Sequence, residues 1–457
     1  MKQILRKISR RRILVFLIDF VMIFASVTIA NCLWVGDLSY VFLYYYQTIF
    51  MLSVYLTVFI INDMYDIKKD FTKYGTIFPI IWSVGISSML ILIMYFILPG
   101  MESPSRPIFI INIIILIFLL FSGRKVYGEI FGKGVYHRML IVGATPAAKS
   151  FIKEIVKYSS TGYKVVGLVD GTNKKGEVFE GCEILGDYDD IKRIVKEKRI
   201  DIVAVSLRQQ ERNEKLIRNL ILCMQHGTDV EDMSALHEEI TGRISFEYLS
   251  DAWFLDTKFG ANTIYRKMFK SLIGKITALA IFMVLMPVFI VAAIIELLQP
   301  GKIFYSQERI GKYGKKFRII KFRTMKKKAE EDTGPIWAEK HDSRITRIGR
   351  IIRLLRIDEL PQVINILKGE MSIVGPRPER EHFIEKFQKE IPFYSYRLSV
   401  YPGITGWAQI NHGYDSSIED VKRKLEYDFY YIKNKSFVLD LLILLRTIKT
   451  VVTAKGN

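Results

Sequence analysis

The chain has 457 residues, half of them hydrophobic, and a formal net charge of +19 at pH 7. This length excludes a single ordinary hydrophobic core, so two or three domains are expected. Hydrophobicity combined with positive charge favours a protein that lies against anionic lipid or handles phosphorylated substrates, and nothing beyond the charge itself favours nucleic acid.

Four apolar blocks open the chain and predict a four-span transmembrane domain over residues 1–124. The first three blocks are long enough to cross a hydrocarbon core at about 20 residues per helix, whereas the fourth is shorter and marginal. No small-residue cleavage site follows the first block, so a cleaved signal peptide is not expected. The blocks cover residues 13–34, 41–61, 77–98 and 107–121.

The charges of the connecting turns predict the orientation of these spans. Six basic residues precede the first block, and the turn after it contains no Lys or Arg. The second turn is basic, the third has a single arginine, and the fourth block leads into further basic residues. By the positive-inside rule both ends of this region lie in the cytoplasm. The basic residues of the later cytoplasmic segments are Lys68, Lys69, Lys73, Arg124, Lys125, Lys133 and Arg138.

Residues 125–260 predict a cytoplasmic α/β domain with a Rossmann-like, doubly wound parallel sheet. Strands are expected at 138–142, 163–170 and 201–206, with helices at 147–158, 188–198 and 211–225. After the first strand only Gly143 of the dinucleotide fingerprint is kept, because Pro146 and Ala148 replace further glycines. A regulatory, ligand-sensing or assembly role is therefore favoured over cofactor binding.

Tyr188 and Lys192 have the spacing of the catalytic Tyr and Lys in nucleotide-sugar dehydratases and epimerases. They precede the third strand, which is too early in the fold for that role. A solvated helix face is the favoured interpretation.

A further apolar segment at about 271–298 is long enough to span, but we expect it to re-enter the leaflet instead. A very basic stretch follows it and would not translocate easily. Pro287 lies near its middle and predicts a kink, since proline removes a helix hydrogen bond. The alternative is a kinked fifth transmembrane helix.

Asp358 and Glu359 follow a series of arginines that recur every third residue from Arg344 to Arg353. The arginine series predicts an amphipathic helix at the membrane interface, with Arg353 facing a substrate phosphate. Pro361 fits the first turn of a helix that begins near Asp358, and such a terminus favours an ionised carboxylate. An ionised Asp can attack a phosphoryl group, and Mg²⁺ suits carboxylates together with phosphates. The alternative is a surface helix with solvated charges.

From about residue 265 to 452 the chain resembles the bacterial sugar transferase family, the monotopic phosphoglycosyl transferases. The four spans and the α/β domain resemble the large form of that family, and the resemblance implies a mainly α catalytic domain at 261–457. Two positions depart from the family pattern: Lys270 replaces a common acidic residue, and Met286 replaces a common serine before Pro287. The matching blocks are 307–311, 321–325, 342–353, 358–362, 368–372, 374–378 and 402–409.

The resemblance implies a role for each candidate site residue. Asp358 would be the nucleophile and Glu359 its partner in base or metal chemistry, with both near Mg²⁺. Alternatives remain: Arg377 as a buried ion-pair anchor, Lys321 and Arg323 on a solvated basic face, and Gln409 as a packing residue in a tight turn. The residues that would bind substrate or phosphate are Lys321, Arg323, Arg353, Arg377 and Gln409.

The activity implied is transfer of a hexose-1-phosphate from a UDP-sugar to polyprenyl (undecaprenyl) phosphate, with release of UMP. It would begin exopolysaccharide, capsule or O-antigen synthesis at the cytoplasmic face of the bacterial inner membrane. Membrane lipids are expected partners, as are a second copy or polysaccharide-assembly proteins, and nucleic acid is not. The sugar stays open between glucose, galactose and an N-acetylated sugar. The rival functions are a membrane-bound dehydratase or epimerase and a scaffold for polysaccharide export.

Overall fold

The protein divides into two compact units, Met1–Thr241 and Gly242–Asn457. The predicted boundary at 124 falls inside a helix, and the one at 260 lies outside the described residues. The computed structural model describes residues 10–36, 44–65, 77–97, 105–132, 137–157, 162–173, 175–208, 211–249, 253–254, 270–299, 301–325, 344–413 and 417–452.

Among the described residues, four helices open the first unit, as predicted. Three of them, α1, α3 and α4, are long and apolar enough to cross a membrane, while α2 has only 17 residues. The prediction that the fourth block is the marginal one is therefore wrong. Helix α4 reaches 27 residues because it continues beyond the apolar block through a polar stretch that contains no proline. The helices are α1 (Arg10–Val35), α2 (Tyr45–Ile61), α3 (Ile77–Ile97) and α4 (Arg106–Gly132).

Polar contacts join α1 and α4 inside this apolar bundle. Arg124 pairs with Asp19 at 2.6 Å, with both side chains almost fully buried, and donates to the Met64 carbonyl at 2.8 Å. Asn112 donates to Ser26 Oγ at 3.1 Å. Because unpaired polar groups are costly in hydrocarbon, these contacts select one pairing of the helices. The turn residues Lys68, Lys69, Lys73 and Lys133, on which part of the predicted orientation depends, lie outside the described residues.

The rest of this unit is a six-stranded α/β sheet with the strand order β3-β4-β2-β1-β5-β6. All neighbours are parallel except the short β3. The three predicted strands correspond to β1, β2 and β5, whereas β3, β4 and β6 were not predicted. The strands are β1 (His137–Val142), β2 (Tyr163–Val169), β3 (Val178–Phe179), β4 (Cys182–Gly186), β5 (Ile202–Val205) and β6 (Asp229–Asp232).

In the described part of this region four helices accompany the sheet, and the three predicted ones are present with shifted limits. The predicted helix at 188–198 begins as a 3-10 turn, Tyr188–Asp190, before α6. Tyr188 is half-buried with its ring against Gly171, so the solvated-face interpretation is wrong for Tyr188 and holds for the exposed Lys192. The helices are α5 (Pro146–Lys157), α6 (Ile191–Glu197), α7 (Glu214–Gln225) and α8 (Met233–Thr241).

The second unit combines helices with two small sheets. The strands β7 and β8 form an antiparallel hairpin, and β9 pairs with β10 in parallel. The elements in chain order are α9 (Lys270–Leu297), β7 (Phe304–Ile310), β8 (Lys316–Phe322), α10 (Arg347–Leu354), a 3-10 segment (Ile357–Gln362), α11 (Val363–Lys368), β9 (Ser372–Val374), α12 (Glu381–Glu390), a second 3-10 segment (Tyr394–Ser399), β10 (Gly403–Thr405), α13 (Trp407–Asn411), α14 (Ile418–Asn434) and α15 (Phe437–Val452).

Helix α9 contains 28 residues, is apolar enough to cross a membrane, and has Pro287 within it. Both of its ends form ion pairs with other elements of the second unit. At the start, Lys270 lies 3.0 Å from Asp440 of α15 and hydrogen-bonds to Tyr431 Oη. Near the end, Glu296 lies 3.5 Å from Arg323. Lys270, which replaces the common acidic residue, thus finds its acidic partner on another helix.

Gly375 sits where two stretches of backbone meet beside the β9–β10 pair. Its N–H donates to the Thr405 carbonyl at 2.9 Å. A Cβ at this position would lie 2.3 Å from the carbonyl oxygen of Tyr401. No side chain fits there unless the backbone moves.

We therefore expect Gly375→Ala to lower the stability of the second unit by about 1–3 kcal/mol, the range found for overpacked sites. Thermal unfolding of the detergent-solubilised protein, followed by size-exclusion chromatography, measures this. Gly413→Ala is the matched control, since a Cβ at Gly413 meets no atom within 4 Å. Equal midpoints for the two variants would contradict the predicted backbone clash.

Candidate active site

The candidate carboxylates lie in a short 3-10 segment between α10 and α11. Arg356 precedes it with φ 56° and ψ 18°, and this left-handed conformation ends α10 and turns the chain. Asp358 and Glu359 are 7% and 6% exposed. The helix expected near Asp358 thus begins at Ile357 as a 3-10 segment, and the alternative of solvated surface charges is wrong.

Glu359 is held by three cations. Its Oε1 lies 3.1 Å from Lys321 Nζ, 3.1 Å from an Arg377 guanidinium nitrogen and 3.7 Å from Arg356. Burial alone would raise the pKa of Glu359, but the charges of Lys321, Arg377 and Arg356 outweigh it and lower the pKa well below its usual range. Glu359 is therefore a fixed anion.

Asp358 differs from its neighbour. Lys321 Nζ lies 3.9 Å from its Oδ2, and within the described part of the chain no side-chain hydrogen bond holds this carboxylate. Burial raises the pKa of Asp358, and the charges of Lys321 and Arg353 oppose the rise without cancelling it. Burial thus outweighs the helix terminus, which was expected to favour the ionised form.

The site brings together four of the predicted side chains besides Asp358. Lys321 of β8 is only 18% exposed and faces both carboxylates, so a solvated basic face does not describe it. Arg377 pairs with Glu359 yet keeps 38% of its side chain exposed, which leaves it accessible to a ligand. Arg353 Nε donates to Thr324 Oγ1 at 2.7 Å and acts on Asp358 through its charge.

Two predicted binding residues are placed elsewhere. Arg323 points to Glu296 of α9, at 3.5 Å. Gln409 of α13 donates through Nε2 to the Ile404 carbonyl at 3.1 Å, and no described residue hydrogen-bonds to its buried Oε1. These contacts tie Gln409 to its own turn and Arg323 to α9, and the binding roles predicted for both residues stay predictions.

The carboxylate pair offers few metal ligands. No cluster of three or more His, Cys, Asp or Glu residues that could hold a metal occurs among the described residues. Three cations already surround Glu359 Oε1, which leaves its second oxygen and the Asp358 carboxylate. One or two carboxylates plus substrate phosphates are the usual Mg²⁺ ligands in phosphate chemistry, so this donor set fits Mg²⁺.

Comparison with known proteins agrees with the resemblance. The family described as bacterial sugar transferase matches residues 265–454, and one described as CoA-binding domain matches residues 60–221. A UDP-glucose:undecaprenyl-phosphate glucose-1-phosphate transferase of Klebsiella pneumoniae is 30% identical over 327 residues, which cover 68% of this chain and 67% of the relative. The chain belongs to the bacterial sugar transferase family.

Two other relatives share shorter stretches with this chain. A UDP-N-acetylgalactosamine-undecaprenyl-phosphate N-acetylgalactosaminephosphotransferase of Aeromonas hydrophila is 40% identical over 56% of this chain and 60% of its own. A UDP-glucose:undecaprenyl-phosphate glucose-1-phosphate transferase of Xanthomonas campestris pv. campestris is 33% identical over 59% of this chain. The chain thus spans 60% and 57% of the lengths of these two relatives. Among the described residues four helices are apolar enough to span, and the chain is a membrane protein.

A second charged cluster next to Arg377 was not predicted from the sequence. Glu379 Oε1 lies 2.8 Å from Lys424 Nζ, and Arg397 lies 3.0 Å from Asp428. Both pairs are largely buried. Burial alone would raise the pKa of Glu379, but Lys424 and Arg397 outweigh it and lower the pKa to about 2. The only sequence signal is that Lys424 and Asp428 lie one turn apart on α14, a pattern that surface helices share.

Glu379 should make the stability of the second unit pH-dependent. Its folded-state pKa lies below the ordinary value of 4.5, so its contribution is complete above that value and is lost as the pH falls toward about 2. This lowering of the pKa of Glu379 corresponds to about 3 kcal/mol in the free energy of unfolding at neutral pH. We expect Glu379→Gln to lower the thermal midpoint at pH 7 and to approach the unmodified protein at pH 3.

The matched control is Glu381→Gln, which removes the partner of Lys316 in an exposed pair. Exposed pairs contribute about 0–1 kcal/mol, so this variant should change little at either pH. A midpoint difference for Glu379→Gln that is the same at pH 7 and pH 3 would show that the Glu379 carboxylate does not stabilise the fold.

Proposed function

We propose that this sugar transferase moves a hexose-1-phosphate from a UDP-sugar to undecaprenyl phosphate through a covalent intermediate on Asp358. The observation that carries the proposal is the electrostatic difference within the carboxylate pair. Glu359 is neutralised by three cations, whereas Asp358 faces one lysine at 3.9 Å and is not held by a hydrogen bond among the described residues. The names of the three relatives support the donor and acceptor classes.

In the first step an Asp358 oxygen attacks the sugar-bearing phosphorus of the donor. The bond between that phosphorus and the bridging oxygen breaks, and UMP leaves with the bonding electrons. In the second step an oxygen of undecaprenyl phosphate attacks the same phosphorus, and the bond to Asp358 breaks. The carboxylate is regenerated and the product is a diphosphate-linked lipid, so no redox partner is needed.

Asp358 suits the nucleophile's role because burial makes it the more basic carboxylate of the pair. Glu359 holds Lys321 and Arg377 in place, and these cations stabilise the charge on the phosphate oxygens. Arg353 adds a further positive charge beside Asp358. Mg²⁺, held by the Asp358 carboxylate and the second Glu359 oxygen, would offset pyrophosphate charge when bound.

We also propose that α9 re-enters the membrane and that the second unit lies on its cytoplasmic face. In a straight helix Lys270 and Glu296 would be about 39 Å apart, more than the roughly 30 Å of a hydrocarbon core. Both residues nevertheless pair with charged side chains from other elements of the second unit. The basic residues that follow α9 support retention in the cytoplasm, where UDP-sugars are available.

For the Rossmann-like domain we propose a regulatory or assembly role. A CoA-type ligand would be expected at the carboxyl ends of the strands, where an acidic residue after β2 commonly binds a ribose. Asp170 holds that place, but it already accepts hydrogen bonds from Ala144, Thr172 and Asn173. Thr145 and Ser206 bond to each other across the same edge. These residues do not fit a nucleotide there, and no step is assigned to one.

Replacing the nucleophile should abolish transfer. We expect Asp358→Asn to release no UMP above background from UDP-glucose, UDP-galactose or UDP-N-acetylgalactosamine. Without acceptor, intact-protein mass spectrometry should detect a phosphosugar adduct on the unmodified protein and none on this variant. Glu385→Gln, which changes an exposed carboxylate on α12, is the control and should retain both signals. Turnover by Asp358→Asn would exclude Asp358 as the nucleophile, and an unmodified protein without UMP release would favour a scaffold.

Cysteine labelling tests the re-entrant helix. In a protein that lacks Cys32, Cys182 and Cys223, Lys302→Cys places an exposed thiol after α9, and Val35→Cys places one at the predicted external end of α1. In intact cells a membrane-impermeant maleimide should label position 35 and should not label position 302 until the cells are opened. Labelling of both positions in intact cells would mean that α9 crosses the membrane.

A further inference from the structure

The segment that carries Arg377 is held by its backbone at every residue. Residues 376–379 are here called the proline loop. Each of its four backbone carbonyls accepts a hydrogen bond. Gly403 N–H donates to Pro376, and Ile310 N–H donates to Glu379. The two carbonyls between them, at positions 377 and 378, accept instead from the side chains of Arg397 and Arg309, at 3.0 and 3.3 Å.

Arg397 is built into this position. Its side chain is 3% exposed, and four groups surround the guanidinium. One nitrogen donates to Tyr394 Oη at 2.8 Å and lies 3.7 Å from Glu379. The other nitrogen lies 3.0 Å from Asp428 and donates to the Arg377 carbonyl. A planar fork with fixed partners on both nitrogens can hold that carbonyl in one place, which a flexible lysine cannot do.

The prolines make this support necessary. Pro376 and Pro378 have no N–H, so the loop cannot be tied into a sheet by donors on both sides of Arg377. Its conformation depends on groups that reach its carbonyls from other segments. Beyond the loop, the Arg377 side chain extends to Glu359 at 3.1 Å. A shift of the Arg377 backbone would therefore move its guanidinium within the site.

We propose that Arg397 is a positioning residue for the transfer reaction, because it fixes the Arg377 backbone and so places the Arg377 guanidinium beside Glu359 and the donor phosphate. Arg397 does not touch substrate in this assignment; it acts through Arg377. The inference rests on the proposed function, since it assigns a role within that reaction.

A double-mutant cycle separates this role from general structural support. UMP release is measured for the unmodified protein, Arg397→Lys, Arg377→Lys and the double variant, at a temperature where all are folded. Arg397→Lys keeps a charge for Asp428 and loses the fork, so we expect kcat/KM for the UDP-sugar to fall about tenfold or more. In the Arg377→Lys background the same change should lower it less than about twofold, because contacting residues couple.

Arg243→Lys is the matched control. Arg243 also forms a buried ion pair in this unit, with Glu426 at 2.8 Å, whereas the donors to the proline-loop carbonyls are Gly403, Arg397, Arg309 and Ile310. It should lower the thermal midpoint, leave kcat/KM within about twofold, and combine additively with Arg377→Lys. If Arg397→Lys does not fold, Tyr394→Phe replaces it in the cycle, since it removes one contact that orients Arg397 without removing charge. We then expect Tyr394→Phe to cause a smaller loss of kcat/KM, which should again be absent in the Arg377→Lys background.

The outcomes are distinguishable. If the unmodified protein releases no UMP, the proposed function fails and the cycle is not reached. If it does release UMP, full activity of Arg397→Lys, or equal losses in both backgrounds, overturns the positioning role alone. If Arg397→Lys lowers kcat/KM less in the Arg377→Lys background than in the unmodified protein, the positioning role is supported.

Discussion

The contact on which the site depends is the cluster of three cations around one oxygen of Glu359. Lys321 comes from the end of the β7–β8 hairpin, Arg356 from the turn after α10, and Arg377 from the proline loop. These three residues belong to different elements of the second unit. A buried carboxylate without its cations would be strongly destabilised, so the ion pairs require the three segments to meet. The fold of the second unit and the arrangement of the site are therefore set by the same contacts.

This arrangement also gives the two carboxylates different electrostatic environments. Side by side in the chain, they have pKa values moved in opposite directions, because one is surrounded by cations and the other is buried near a single lysine. Sites that need distinct roles from like groups commonly use environments that move pKa values apart. Arg356 contributes to this difference in pKa. Its left-handed backbone conformation forms a tight turn, and its guanidinium lies 3.7 Å from Glu359.

The sequence predicts most of the helices, the strands and the positions of the motif residues. It predicts few of the contacts between separate elements. The carboxylate pair with Lys321 and Arg377 could be anticipated because motif blocks carry them, but the pairing of Arg323 with a residue of α9 could not, since both lie in separate elements. The strand β6 was missed because its residues are mostly exposed and acidic, without apolar alternation. The length of α4 was underestimated because the end of an apolar block is not the end of a helix. Arg397 gave no signal, because an isolated arginine does not indicate which carbonyl it will bind.

The charges around the site match the proposed substrates in both halves of the reaction. Lys321, Arg353, Arg356 and Arg377 supply four positive charges against the two carboxylates, an excess of two. The pyrophosphate of the proposed UDP-sugar donor carries two negative charges, which this excess would balance before any Mg²⁺ adds its own charge. In the proposed second step, the negative charge of undecaprenyl phosphate would take the place of UMP beside the same cations. Because Glu359 and the supported proline loop fix these cations, neither proposed step would require them to reorganise, which is the condition under which electrostatic stabilisation is most effective.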